Sequence, residues 1–262
     1  GNTSGFSLPL STTNDKNIFQ KGNHILQSRI IAAKFSQIPN NRLGEMVPIY
    51  AWDCDQQYGT SLINRAKELG LGWLRVDFEW YDWEEYKKYG NTSDLMIDDC
   101  QMQTIDSLQK SGLKILYTIT FWEPIISYYP GYSRFRDKDE ISRFLEFTRF
   151  LVKKLQETVT WYGILNESNL ISEDQGYVKV NDYIELVRQT EQVIREIDPQ
   201  AKIIIGEVAP IDTTYSYLMK ILNSDLMPVV DGIAWHGSSA HSWEYDPTLY
   251  KNYPAIVNKI VN

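Results

Sequence analysis

Residues 161 to 170, WYGILNESNL, place a carboxylate between two asparagines at the end of an apolar run. Glu167 directly follows Asn166, and Asn169 comes two positions later. A carboxyl group in a partly dry, negatively charged pocket has a raised pKa, so it can donate a proton near neutral pH. The pattern therefore predicts acid–base chemistry at Glu167. The competing interpretation is a charge at a helix N-terminus, because Asn, Ser and Glu are common where helices begin.

Other side chains that are capable of chemistry follow further apolar runs of the chain. They are Trp52 with Asp53, Asp77 with Glu79 and Trp80, Trp122 with Glu123, Glu207, and Trp235 with His236. Arg75 lies inside one of these runs, GWLRVDFEW, where it is either a functional group or an ion-pair partner for Asp77 or Glu79. Groups that recur at the ends of such runs are expected to meet if the runs are neighbouring strands.

Six runs rich in β-branched and aromatic residues alternate with stretches of helical period, which predicts strands and helices in alternation. The predicted strands are residues 46–52, 72–80, 113–122, 158–167, 201–210 and 229–239. The predicted helices are residues 60–70, 93–112, 138–156, 180–198 and 214–224, followed by a last helix that reaches Asn262. Gly70 and Gly112 are expected to end the first two helices. Helical crossovers of this kind predict a parallel sheet.

Two architectures fit this alternation, the open doubly wound sheet and the closed (β/α)8 barrel. The turn after the first strand reads AWDCDQQYG and lacks the glycine pattern of a dinucleotide-binding sheet. A barrel gathers its chemistry at the carboxyl ends of its strands, where the polar and aromatic side chains cluster here. We therefore predict an α/β fold, a (β/α)8 TIM barrel with about six βα units visible. Residues 1–45 are predicted to form an N-terminal extension that caps the barrel floor, and residues 46–262 the barrel domain.

Composition and charge limit the classes of partner. The 262 residues carry 34 acidic and 26 basic side chains, a net charge of −8 that repels the phosphates of nucleic acid. No apolar run approaches the length of a bilayer span. The polar N-terminal segment, rich in Ser, Thr and Asn, is typical of a tether that follows a removed signal, and it predicts secretion. Cys54 and Cys100 permit one disulfide bond without requiring it.

A metal-dependent hydrolase is disfavoured, because such a barrel gathers His and Asp at its strand ends. The chain has three histidines, His24, His236 and His241, and the first of them precedes the predicted barrel. We predict neither a metal nor another cofactor.

The runs RAKELGLGWLRVDFEWYDWE, SGLKILYTITFW and WYGILNESN resemble the second, third and fourth strands of the clan A glycoside hydrolases, retaining barrel enzymes that include families 5 and 39. IDPQAKIIIGEVAP and VDGIAWHGSS resemble the fifth and sixth strands of the same barrels. The fourth strand of these enzymes ends in Asn-Glu-Pro, often followed by another Asn. Asn166 and Glu167 match this motif, Ser168 replaces the proline, and Asn169 falls where the second asparagine does.

This resemblance implies a glycosidase that cleaves O-glycosidic bonds of poly- or oligosaccharides by a retaining double displacement. It implies that Glu167 is the general acid and then the general base, and that Asn166 donates a hydrogen bond to the sugar 2-hydroxyl. Arg75 matches the arginine that holds the nucleophile ionised. The subsite walls implied by the resemblance are Trp122, Trp235 and His236, although each of them would equally fill a barrel layer.

A retaining mechanism needs a second carboxylate, which in clan A is a glutamate at the end of the seventh strand. Six strands are predicted here, and a barrel uses roughly 30 residues for each βα unit. The nucleophile is therefore unknown and expected beyond Asn262, on a missing piece or on a second polypeptide, and the chain alone is expected to be inactive. Glu207 is the best-placed alternative within the chain. The alternative function is a carbohydrate-binding pseudoenzyme or an inactive fragment without a nucleophile.

Overall fold

The computed structural model describes residues 42–47, 56–77, 99–120, 133–170, 177–210 and 215–236, together with residues 255, 257 and 258. The strands in these ranges are β1 (Gly44–Met46), β2 (Trp73–Asp77), β3 (Lys114–Ile119), β4 (Trp161–Ile164), β5 (Lys202–Val208) and β6 (Gly232–Trp235). The helices are α1 (Gln56–Leu69), α2 (Asp99–Lys110), α3 (Lys138–Leu155), α4 (Val180–Ile197) and α5 (Ser216–Leu222). Strands and helices therefore alternate along the described chain.

All six strands belong to one parallel sheet, and their order in space is their order in the sequence, from β1 to β6. A doubly wound sheet would reverse its strand order at a switch point, whereas a barrel adds each new strand beside the previous one. The described strands are thus six consecutive strands of a (β/α)8 barrel. The predicted fold class is confirmed.

Each described element overlaps a predicted one, but α1 begins four residues before its predicted start, and β4 and β6 begin three residues after theirs. β1 begins at Gly44, two residues before the predicted start, and the remainder of the predicted strand lies outside the described residues from residue 48 onward. Gly70 and Gly112 follow α1 and α2 with φ values of 66° and 92°, a left-handed conformation that glycine adopts without strain. The division of the chain into residues 1–45 and 46–262 stays a prediction.

Alternate residues of the central strands are buried in one core together with the apolar faces of the helices. These strand residues are Leu74, Val76, Ile115, Tyr117, Ile119, Tyr162, Ile164, Ile203 and Ile205. The aromatic stripe of α3 contributes Phe144 and Phe147, both of which are fully buried. Asp137 caps α3 by accepting hydrogen bonds from the backbone of Asp139 and Glu140. None of the helices in the described ranges is long and apolar enough to span a membrane.

The intervening residues of the strands face the opposite, concave side of the sheet. Trp73 on β2 and Trp161 on β4 meet there with ring centroids 5.2 Å apart, although β3 lies between their strands. Because neighbouring strands are about 4.8 Å apart, side chains on strands that are not neighbours meet most readily where the sheet curves. This concave side is the barrel interior, and it carries the polar residues of the site.

Candidate active site

The carboxyl ends of β4 and β5 separate where the candidate residues begin. The last paired residues of the two strands are Gly163 and Ile204. Beyond this point the Tyr183 hydroxyl lies between the two backbones, donating to the Ile164 carbonyl at 3.0 Å and accepting from the Gly206 N–H at 2.9 Å. The buried side chain of Tyr183 on α4 therefore takes the place of a direct strand-to-strand hydrogen bond.

Strained backbone marks the residues that follow this insertion. Leu165, Glu167 and Glu207 have φ values of 59°, 50° and 43°, a left-handed region that residues with a side chain seldom adopt. Such conformations persist where the surroundings hold them, and they concentrate at functional sites. Here they turn the chain sharply on either side of Asn166 and just before the end of β5.

Asn169 ties the turn after β4 to the end of β5. Its amide donates to the Ala209 carbonyl and accepts from the Ala209 N–H, both at 2.8 Å, and the Glu167 N–H donates to the Glu207 carbonyl at 2.9 Å. Asn169 is buried, so these bonds are shielded from water. Glu167 belongs to this clamped turn, and α4 begins only at Val180. The interpretation of Glu167 as a helix N-terminal charge is therefore wrong.

Arg75 connects the interior side chains of four strands. Its Nε donates to Thr118 Oγ1 on β3 at 2.8 Å, and its Nη2 donates to Asn166 Oδ1 at 2.8 Å. The same Nη2 lies 2.6 Å from Oε2 of Glu207 on β5. Its ion pair in the structure is thus with Glu207. The side chain of Asp77 and the whole of Glu79, the partners considered from the sequence, lie outside the described residues.

Glu207 reaches Arg75 across a gap in β4 that a glycine provides. A Cβ atom at Gly163 would lie 2.3 Å from Glu207 Oε1, closer than real contacts allow, and 3.1 Å from Thr118 Oγ1, which is a tight contact. Thr118 Oγ1 itself donates to Glu207 Oε1 at 3.2 Å. Glu207 is only 2% exposed, so its carboxylate is stabilised by the cation and the hydroxyl rather than by water.

Glu167 is held by a histidine from the end of β6. His236 Nδ1 lies 2.7 Å from Glu167 Oε1, and the two side chains are 28% and 26% exposed. The position of His236 is fixed through its backbone, since its N–H donates to Val208 and its carbonyl accepts from the Tyr215 hydroxyl. The sequence resemblance implied a subsite wall at His236, and the structure places it against Glu167.

The hydrogen bond from His236 lowers the pKa of Glu167 below its ordinary value. Burial acts in the opposite direction, and the electrostatic interactions of Glu167 with His236 and Arg75 add to the lowering of its pKa. The sequence pattern predicted a raised pKa, and for the structure described here that expectation is wrong. Two features explain the difference: His236 donates to the carboxylate, and the negative charge of Glu207 is neutralised by Arg75.

The structure brings together five of the candidate residues, Arg75, Asn166, Glu167, Glu207 and His236. Trp235, which precedes His236 in the sequence, is half-buried. Its indole Nε1 is buried, and no described residue accepts a hydrogen bond from it. Trp122, Glu123 and Cys54 lie outside the described residues.

The sequence interpretation missed Thr118, Gly163 and Tyr183. A signal existed for Gly163, because a glycine inside an apolar strand often marks a close approach of other atoms. No comparable signal marks Thr118 or Tyr183, whose types are common in strands and helices. No group of three or more His, Cys, Asp or Glu side chains in the described part of the chain is arranged to hold a metal ion.

No protein-family model matches this chain, and no curated protein matches it in sequence. Solved structures do match its fold. A family 39 glycoside hydrolase from Bacteroides cellulosilyticus has 18% identity and a TM-score of 0.54, over 75% of this chain and 38% of that one. A family 39 β-xylosidase from Caulobacter crescentus has 20% identity and a TM-score of 0.50, over 76% and 47%. A conserved exported protein from Bacteroides fragilis has 15% identity and a TM-score of 0.58, over 83% and 56%.

The fold is that of the barrels of these two family 39 glycoside hydrolases. The likeness that the sequence motifs predicted is confirmed at this level, since the sheet order and these similar structures agree. The match spans between 38% and 56% of the length of the three solved structures. Identities of 15 to 20% establish the fold and not the reaction, which is therefore argued from the site.

Proposed function

We propose that this chain carries the acid/base part of the active site of a retaining glycoside hydrolase. The observation that supports the proposal is the arrangement at the end of β4, where Arg75 binds Asn166 and His236 binds Glu167. Strands β2, β4 and β6 thus contribute to a single polar site at the end of the sheet where barrel enzymes carry out their chemistry. Asn166 and Glu167 also stand in the register that the clan A resemblance implies.

In the proposed reaction Glu167 moves one proton in each of two steps. First, a nucleophilic carboxylate attacks the anomeric carbon while protonated Glu167 donates to the glycosidic oxygen, and the bond between that carbon and oxygen breaks. Then the Glu167 carboxylate accepts a proton from water, whose oxygen attacks the same carbon and releases the nucleophile. The lowered pKa of Glu167 suits the second step, which needs its carboxylate ionised. The first step needs Glu167 protonated, and a bound sugar that excludes water, with an anionic nucleophile nearby, would raise its pKa.

Asn166 is proposed to bind the sugar 2-hydroxyl through its amide nitrogen. Its Oδ1 accepts from Arg75, which has only donors, so the oxygen of the amide is already used. Nδ2 remains as the group that can donate to the substrate. A hydrogen bond to the 2-hydroxyl strengthens in the transition state. Together with the distortion of the sugar ring, it contributes roughly several kcal/mol to lowering the barrier.

The nucleophile is proposed to be a glutamate on a seventh strand beside β6, outside the described residues and either beyond Asn262 or on a second polypeptide. Glu207 is a poor candidate, because it is buried and bound by Arg75 and Thr118. The Nη1 group of Arg75 is available to a further partner, because among the described residues it contacts only Met46 Sδ, at 3.6 Å. Nη1 would donate to the proposed nucleophile and hold it in its ionised form.

The substrate is proposed to be a poly- or oligosaccharide, with Trp122 and Trp235 as walls of its subsites. Aromatic rings with polar rims suit the faces of sugars. Secretion is proposed from the polar segment at the start of the sequence. Of the similar structures, the one from Bacteroides fragilis is described as an exported protein, which supports this location.

A carbohydrate-binding protein without turnover is the second candidate function. The observation that favours it is the state of Glu207, the other carboxylate that contacts the described site. Its side chain is 2% exposed and paired with Arg75, so it is not free to attack a sugar. Such a protein would bind sugars through the same polar groups and release them unchanged.

The test is to incubate the full-length protein and the 262-residue chain with a panel of aryl glycosides, following the first product by proton NMR. We expect the full-length protein to release sugar with retained anomeric configuration and the 262-residue chain to release none. An inverted product would contradict the proposal. Turnover by the 262-residue chain that is lost in Glu207→Ala would place the nucleophile on β5. Sugar binding by the full-length protein without turnover would favour the binding protein.

A further inference from the structure

Glu207 is a buried carboxylate that contacts two other polar side chains of the site, Arg75 and Thr118. We propose that Glu207 is a positioning residue, which holds Arg75 so that the Asn166 amide presents Nδ2 to the sugar 2-hydroxyl. The inference rests on the proposed function of Asn166. It assigns to Glu207 an effect on substrate recognition that is transmitted through Arg75 and Asn166. Glu207 itself would not touch the sugar.

A single nitrogen of Arg75 joins the two residues. Nη2 lies 2.6 Å from Glu207 Oε2 and 2.8 Å from Asn166 Oδ1. Each terminal nitrogen of a guanidinium carries two hydrogens, so one serves the carboxylate and the other serves the amide. Because the group is planar, the direction of the first bond fixes the direction of the second. The position of the Glu207 carboxylate therefore determines where Arg75 meets Asn166.

The contact also decides which end of the Asn166 amide faces the substrate. Arginine has no acceptor, so it binds the amide only through Oδ1. Without this partner the amide can rotate and present its oxygen to the 2-hydroxyl instead. In that orientation the amide accepts a hydrogen bond rather than donating one, and a donor to the oxygen of the 2-hydroxyl is lost.

The surroundings of Glu207 indicate that its charge is functional and is not required for packing. Its side chain crosses β4 only because Gly163 leaves the space, and Thr118 Oγ1 completes its hydrogen bonding on β3. An apolar side chain would fill a buried position without the desolvation cost of a carboxylate. A glycine, a hydroxyl and a cation from three different strands instead converge on one buried acid.

The experiment compares aryl glycosides with and without the 2-hydroxyl in the full-length protein. We expect Glu207→Gln to lower the ratio of kcat/KM for the 2-hydroxy substrate to that for the 2-deoxy substrate by about 100-fold, as for a misplaced binding group. Asn166→Ala should lower the ratio similarly, and adding Glu207→Gln to it should lower the ratio no further. The matched control is Asp231→Asn. It removes an ion-paired carboxylate at the opposite end of β5 and β6, and should leave the ratio unchanged.

Equal losses on both substrates in Glu207→Gln, with the ratio unchanged, would overturn the proposal. If Glu207→Gln does not fold, Thr118→Val serves in its place, because it removes the hydroxyl that contacts both Glu207 and Arg75 and keeps every charge. A smaller fall in the same ratio is then expected, and an unchanged ratio would overturn the proposal as well.

Failure of the proposed function is distinguished by a measurement without substrate. If the wild-type protein hydrolyses neither glycoside, nitrogen-15 NMR follows the Arg75 Nε–H and the Asn166 Nδ2 protons, assigned from Arg75→Lys and Asn166→Ala. We expect Glu207→Gln to shift the Asn166 signals and to speed exchange of the Arg75 proton, while Asp231→Asn changes neither. Unchanged signals in Glu207→Gln would overturn the positioning role independently of any activity.

Discussion

Replacing Gly163 by alanine tests the polar network with the smallest possible change, one methyl group. The added Cβ would lie 2.3 Å from Glu207 Oε1, 3.4 Å from Glu207 Cδ and 3.1 Å from Thr118 Oγ1. Carbon and oxygen in ordinary contact lie roughly 3.5 Å apart, so the carboxylate must move by about 1 Å. A movement of this size breaks the 2.6 Å contact with Arg75.

The expected cost follows from two contributions. Overpacking a closed site costs about 1–3 kcal/mol, and breaking a buried ion pair by removing one partner costs about 3–5 kcal/mol. Alanine at this position displaces the partner without removing it, so we expect the free energy of unfolding to fall by about 3 kcal/mol. Equilibrium unfolding in urea measures this difference from the shift of the midpoint.

The matched control is Gly59→Ala on helix α1, where the nearest atom to an added Cβ is Thr104 Oγ1 at 3.3 Å. Helix propensity favours alanine there by about 1 kcal/mol, so we expect no loss comparable to that at Gly163. A second comparison places Gly163→Ala in a Glu207→Ala background, where the clashing oxygen is absent and the cost should largely disappear. An equal cost in both backgrounds, or a cost no larger than that of Gly59→Ala, would refute the described network.

Three further predictions concern the residues that hold the turn after β4. Tyr183→Phe should lower the free energy of unfolding by about 2 kcal/mol, measured in urea, because it leaves a buried carbonyl and a buried N–H without their partner. Asn169→Ala should cost about 2 kcal/mol in the same measurement, since two buried backbone groups of Ala209 lose their hydrogen bonds. His236→Ala should raise the pKa of Glu167, followed by carbon-13 NMR of the side-chain carboxyl during a pH titration, because the bond that lowers it most is removed.

Each of these predictions has an outcome that contradicts it. A wild-type midpoint in Tyr183→Phe or Asn169→Ala would mean that water or other groups satisfy the freed backbone atoms. For His236→Ala, the carboxyl signal of Glu167 is assigned by its loss in Glu167→Gln. An unchanged or lower pKa in the histidine variant would show that burial and Arg75, rather than His236, govern its ionisation.

The fold was predictable because the relevant signals are local. Apolar runs such as WYGIL, followed by stretches of helical period, indicate strand and helix without knowledge of their partners. Parallel strands then place their carboxyl ends at one edge, so Asn166 and Glu167 were expected near the ends of neighbouring strands. Arg75 and Asn166 are in contact in the structure, and the roles that the family resemblance implies for them stay predictions.

The polar network was not predictable because it depends on contacts between distant strands. Glu207 looked like a candidate nucleophile, and its pairing with Arg75 depends on the space left by Gly163 on the strand between them. The pKa direction of Glu167 depends similarly on His236, which arrives from the end of β6. Burial alone predicts a raised value, and only the three-dimensional contact reverses it.

The most direct test of the central claim is the dependence of hydrolysis on the leaving group in Glu167→Gln of the full-length protein. A general acid matters most when the departing oxygen is strongly basic, and its loss costs about 10²–10⁴-fold in rate. We predict a loss of this size on glycosides of poorly acidic phenols or sugars. Aryl glycosides with strongly acidic phenols should retain much of their first-step rate. Equal loss on both classes of substrate would contradict the assignment of Glu167 as the acid/base.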